Sequence, residues 1–163
     1  MPNSLSTLGI AHTAISLVPL VAGLAAFARH GAIQPGTRTG RVYLGGLVLS
    51  VLTAFGLSST GGFNPGHALG ILALLAIAGA LLVPRLAFLG RARPYLANLG
   101  LSFSFFLLLV PGINETLTRL PASQPLASGP DSPLVKTALL GWLLLFIAGA
   151  AWQALRLRAR RRA

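Results

Sequence analysis

The chain has 163 residues, 54% of them apolar and 9% charged, with a formal net charge of +11. A soluble domain carries about 25% charged residues, so this deficit, with a mean hydropathy of +0.76, excludes an ordinary water-facing fold and points to a lipid environment. The absence of cysteine excludes disulfides, thiolate metal sites, iron–sulfur clusters and haem attached through C-x-x-C-H.

A hydrocarbon core of about 30 Å needs about 20 helical residues to cross it. The first apolar run, residues 8–28, ends at Arg29 and His30. No basic stretch precedes it, so a span is expected rather than a cleaved signal, although "LAAFA" (24–28) has the small residues of a cleavage site. The second run, 42–59, opens after Arg41; the third, 67–84, ends at Pro84 and Arg85. Both are short and should stand nearly upright. The fourth, 95–113, follows "RARP", and the fifth, 135–155, runs into "RLRARRRA". Gly-, Pro- and Ser-rich stretches separate them and read as loops. The expected fold is therefore all-α: one integral membrane domain over residues 1–163, an up-and-down bundle of the first four helices with the fifth on its periphery.

Arginine sets the expected orientation. Arg29, Arg38 and Arg41 follow the first span, Arg85, Arg91 and Arg93 follow the third, and Arg156, Arg158, Arg160, Arg161 and Arg162 follow the fifth. That places eleven basic residues on one side and two, Arg119 and Lys136, on the other. The positive-inside rule makes the eleven cytoplasmic, with the N-terminus outside and the C-terminus inside, in a bacterial inner membrane. The lipid bilayer is the first partner. The basic tail is expected to rest on anionic lipid head groups, at about 1 kcal/mol per residue, though a stop-transfer role explains it equally. Aromatic residues are not interleaved with the basic clusters, which excludes a nucleic-acid surface.

Helix pairing in lipid relies on small and polar side chains. Such stripes recur at helical spacing: His12, Ser16, Pro19, Gly23 and Ala26 in the first span, Tyr43, Gly46, Ser50 and Thr53 in the second, and Tyr95, Asn98, Ser102 and Phe105 in the fourth. The third is rich in Ala and Gly. The fifth has a weaker polar signature, Trp142, Trp152 and Gln153; its tryptophans read as interface anchors, and a protein partner is expected on this helix.

Two of the three histidines, His12 and His67, fall at the outer level with Glu115, one of only two carboxylates; His30 reads as a solvated cytoplasmic loop residue. Three arrangements suit this set. His12 and His67 can serve helix packing and capping while Glu115 pairs with Arg119. They can be the axial ligands of a b-type haem held between diagonal helices. Or His12, His67 and Glu115 can bind a transition metal. A transporter or channel is disfavoured because no ionisable residue lies mid-membrane. No nucleophile triad, phosphate loop or H-E-x-x-H motif is present, so a catalytic role is not expected.

The segments "IAHTAISLVPLVAG", "GTRTGRVYLGGLVLS" and a third helix whose histidine follows "FNPG" resemble a bacterial family of small four- to five-span membrane proteins known only as a domain of unknown function. The resemblance covers about residues 8–120 and is best at "GRVY" (40–43). It implies the multi-span fold and a membrane location, and no activity. Where that family carries histidines ahead of Gly-Arg-x-Tyr and before the fourth helix, this chain has "PGTRT" and "GRARPY". Any histidine-based site retained here would be the outer one. The function this leaves is a non-catalytic accessory or interaction component, with electron transfer through a haem or metal as the alternative.

Overall fold

The computed structural model describes residues 6–57 and 62–162. Among them the chain is all-helical, without a strand: α1 (Thr7–His30), α2 (Arg38–Ala54), α3 (Pro65–Leu82), α4 (Arg93–Arg119) and α5 (Pro133–Arg160). Short 3-10 turns, Val83–Arg85 and Ala87–Ala92, link α3 to α4. The starts are written in the sequence. Ser6, Thr37, Asn64 and Ser132 each accept a backbone N–H of the first turn, from Gly9, Gly40, His67 and Val135, satisfying donors that the helix itself leaves unpaired. Gly31 ends α1 at φ 72°, and Gly90 bends the α3–α4 connection at φ 48°, conformations that favour glycine.

Among the described residues, four helical stretches are long and apolar enough to cross a membrane: Thr7–His30, Pro65–Arg85, Ala87–Arg119 and Pro133–Arg160. This is consistent with a multi-pass membrane protein. The second expected span is the shorter helix α2, whose 17 residues extend about 25 Å. Arg38 and Arg41 occupy its first turn, and the last residues of the expected span, 58 and 59, lie outside the described residues. Helix α4 is longer than expected. "NETLTR" forms its last turns, supported by Thr116 and Thr118 hydroxyls donating to the Gly112 and Asn114 carbonyls and by the Glu115–Arg119 ion pair.

The stripes on α1 and α2 face each other. His12 meets Thr53, Ser16 meets Ser50, Pro19 lies against Gly46, and Gly23 lies beside Tyr43. Residue numbers rise along α1 as they fall along α2, so the two helices are antiparallel. A Cβ on Gly46 would stand 2.9 Å from the Pro19 ring, and one on Gly23 only 2.5 Å from the Phe105 ring. The small residues are thus what allows close approach. Gly100 of α4 does the same against Ala76 and Ala80 of α3. Tyr43 and Ser104 are fully buried and share a hydrogen bond of 2.7 Å that ties α2 to α4. Large apolar side chains such as Leu17, Val21, Leu49, Leu75 and Leu144 remain exposed around the outside, as a lipid-facing surface requires.

Helix α5 packs on α4. Only 6% of its most apolar stretch is buried, against 22–28% for the other three long helices. Trp142, read as an interface anchor, is also a packing residue. It lies partway along α5, half-buried, with its indole N–H donating to the Phe106 carbonyl at 3.0 Å and its ring stacked on Phe106.

Candidate functional site

At one end of the molecule the two histidines named by the sequence converge on the last turn of α2. The His12 Nδ1 lies 2.9 Å from the Thr53 hydroxyl. That hydroxyl is also within reach of the Leu49 and Ser50 carbonyls, and when it donates to either of them it accepts from His12 Nδ1–H. The His12 Nε2 then carries a lone pair, and its neighbour, the Ser16 hydroxyl, is 3.4 Å away and also held by Ser50 and the His12 carbonyl. His67 is buried and more tightly engaged. Its Nδ1 faces the Asn64 backbone N–H, closing a reciprocal capping box, and its Nε2 reaches the Ala54 carbonyl at 3.1 Å. Phe55 stacks on the ring at 4.9 Å and Phe63 meets it edge-on. One nitrogen accepts and the other donates, which the neutral Nε2–H tautomer satisfies completely.

Glu115 lies within electrostatic reach of His12 but pairs with Arg119, both half-exposed. The buried Asn114 Oδ1 beside it has no hydrogen-bond partner. Among the described residues no three His, Cys, Asp or Glu side chains are gathered closely enough to hold a metal ion. The structure therefore brings His12 and His67 to adjacent residues of one helix, Thr53 and Ala54. It does not gather His12, His67 and Glu115 around a common point. Of the two histidines read as axial haem ligands, His67 has both ring nitrogens at protein partners, Nδ1 at the Asn64 N–H and Nε2 at the Ala54 carbonyl, and His12 has Nδ1 at Thr53 and Nε2 3.4 Å from Ser16.

The opposite end carries a feature the sequence did not announce. The end of α1, residues 31–35, the α3–α4 connection and the last turns of α5 border an open cavity of about 680 Å³. His30, Arg93, Arg156, Arg160 and Arg161 line it, with Ile33, Leu81, Ala97 and Leu101 among its apolar walls. His30 is the last residue of α1 and part of this wall, not a loop residue. Three of the guanidinium groups have protein contacts: Arg93 donates to the carbonyls of Gly90 and Pro84, Arg161 donates to the Arg91 carbonyl and lies over the Tyr95 ring, and Arg156 lies 4.8 Å from the centre of the Trp152 ring.

Gln153 organises this end. Its Oε1 accepts from Asn98 Nδ2 at 2.7 Å and from Ser102 Oγ at 2.8 Å, and its Nε2 donates to the Gly31 carbonyl at 2.8 Å. One buried amide thereby joins α5 to α4 and to the cap of α1. The signal was visible: Gln153 is the one amide of α5, set in an apolar run, where an unpaired polar group would be costly. Comparison with protein-family models, with curated proteins and with solved structures finds no match for this chain.

Proposed function

We propose that the chain is a small multi-pass protein of the bacterial inner membrane that acts as a non-catalytic accessory or interaction component. In this reading α1–α4 form an up-and-down bundle with the N-terminus outside and the C-terminus inside, and α5 lies on its flank. The family resembled at "GRVY" is its family. The observation that carries the proposal is the state of α5. It is fixed to the bundle by Gln153 and Trp142, yet exposes Leu140, Leu144, Ile147 and Leu155 along its length. A helix so held and so uncovered offers a second helix a surface within the membrane. The basic tail after it supplies the contact with anionic lipid head groups.

The absence of cysteine gives a clean background for the test. A photo-crosslinker on Leu144→Cys is expected to yield one discrete protein adduct in native membranes, and the same probe on Leu75→Cys of α3 none. Equal labelling at both positions would remove the interaction reading. For orientation, an impermeant maleimide should label Ser128→Cys in intact cells and Arg162→Cys only after permeabilisation; the reverse pattern would invert the topology.

One observation favours a second reading, a haem- or metal-dependent electron-transfer role. Thr53 fixes His12 through Nδ1–H and leaves Nε2 available, the orientation that metal-ligating histidines commonly have. A visible absorption spectrum with a metal assay on the purified protein decides between the two.

A further inference from the structure

Among the described residues, the cavity at the arginine end has cations with no carboxylate beside them. The sequence has two carboxylate side chains. Glu115 pairs with Arg119 and Asp131 with Lys136, both on the other side of the molecule. Neither lines the cavity, whose charged walls are Arg93, Arg156, Arg160 and Arg161. Like charges converging on a partly enclosed space repel, and they are stabilised by an anion that accepts several guanidinium donors at once.

The cavity also has a neighbour. A groove of about 240 Å³ runs between α1 and α5 over α4, lined by Leu24, Phe27, Leu145, Phe146 and Gly149 among others. Its walls are almost wholly apolar, and Leu24 and Leu145 at its rim are exposed. Gly31 and Gln153 line both spaces, so the hydrogen bond between them forms the step from the basic cavity to the apolar groove. A basic head site adjoining an apolar groove between two helices matches a molecule with a phosphate at one end and a hydrocarbon chain at the other.

We propose that the cavity and groove together bind one anionic phospholipid, with its phosphate among Arg93, Arg156 and Arg160 and one acyl chain in the groove between α1 and α5. This deepens the proposed contact of the tail with anionic lipid and rests on the membrane placement of α5. A diffuse attraction uses every arginine of the tail alike. A built site uses only those that face the cavity. Arg158 and Arg162 do not line it and serve as the internal comparison.

The experiment is native mass spectrometry of the detergent-purified full chain, titrated with phosphatidylglycerol, phosphatidylcholine or inorganic phosphate. One phosphatidylglycerol is expected to be retained per chain, at least about tenfold more tightly than phosphatidylcholine. The double variant Arg93→Gln/Arg156→Gln should lose that preference, while Arg158→Gln/Arg162→Gln, with the same loss of charge, should keep it. A Cβ on Gly149 meets open space, so Gly149→Leu fills the groove without disturbing the fold and should weaken lipid retention. Equal loss in the two arginine pairs would reduce the site to general tail electrostatics. Protection by inorganic phosphate together with an inert Gly149→Leu would assign the cavity to a soluble anion and overturn the lipid proposal. Maleimide labelling of Ser128→Cys and Arg162→Cys reads the orientation separately, so failure of the lipid site and failure of the topology remain distinguishable.

Discussion

The two ends of the helices solve opposite problems. At the histidine end polar groups are few and mostly closed on one another: His67 caps α3 and donates to the end of α2, His12 sits on Thr53, and Glu115 pairs with Arg119. At the arginine end the guanidinium groups reach carbonyls and aromatic rings but, among the described residues, no carboxylate, and they border a space of about 680 Å³. The residue types that usually signal chemistry, histidine and carboxylate, lie at the closed end. The open end is built from arginines whose presence orientation alone would explain. The lesson is that pairing decides where a ligand can go more than residue type does. A satisfied histidine has little left to offer, whereas an unneutralised guanidinium cluster does.

The largest break in that contrast is expected from Gly40→Ala. A Cβ there would fall 1.9 Å from the Gln34 carbonyl oxygen, in backbone that a side-chain rotation cannot clear. Residues 34–37 would have to shift, and they carry the Thr37 cap of α2 and a wall of the cavity. A cost of about 2–3 kcal/mol is expected, read as a fall in thermal stability in detergent. Lipid retention should weaken with it, while the histidine end stays intact. Next comes Gln153→Leu. The Asn98 amide, the Ser102 hydroxyl and the Gly31 carbonyl would lose their shared partner inside an apolar interface, at about 2 kcal/mol. Limited proteolysis of the tail should accelerate as α5 loosens. His67→Ala should cost about 1 kcal/mol, through the capping box and the stack on Phe55. Gln153→Leu should loosen the arginine end and His67→Ala the histidine end. Hydrogen exchange that responded to both at the same end would show that the ends are not independent.

Much of the helix pairing was legible because membrane packing obeys spacing. His12, Ser16, Pro19 and Gly23 recur on one face of α1, and small or polar residues recur on one face of α2, so the two faces had to be inward. The caps were legible for the same local reason. Which partner each face would find was not. Whether His12 and His67 meet each other or the helix between them depends on the rotation of three helices about their axes, a few tens of degrees that no periodicity fixes. The α4 stripe split for that reason: Phe105 turned into the core, whereas Asn98 and Ser102 turned to Gln153 of α5. The cavity was least legible. It arises where residues 30–35, 81–94 and 153–161 close on one another, and positive-inside placement had already accounted for each of their arginines.

The smallest effect bears most directly on the histidine end. In a packing role, His12 and Thr53 contribute to stability only through each other, and the variants His12→Ala, Thr53→Ala and the pair should show a coupling of about 0.6 kcal/mol, typical of an interhelical hydrogen bond in a membrane. The purified wild type should then be colourless and metal-free. In a ligand role the roles separate. His12→Ala would abolish a visible band or bound metal outright, while Thr53→Ala, which only orients the ring, would leave the group bound and shift its spectrum or weaken its affinity about 10-fold or more. A coupling without a chromophore makes the histidine end a clamp on the last turn of α2. A chromophore lost only with His12 would make it a site, and the contrast between the two ends would become one between two ligands.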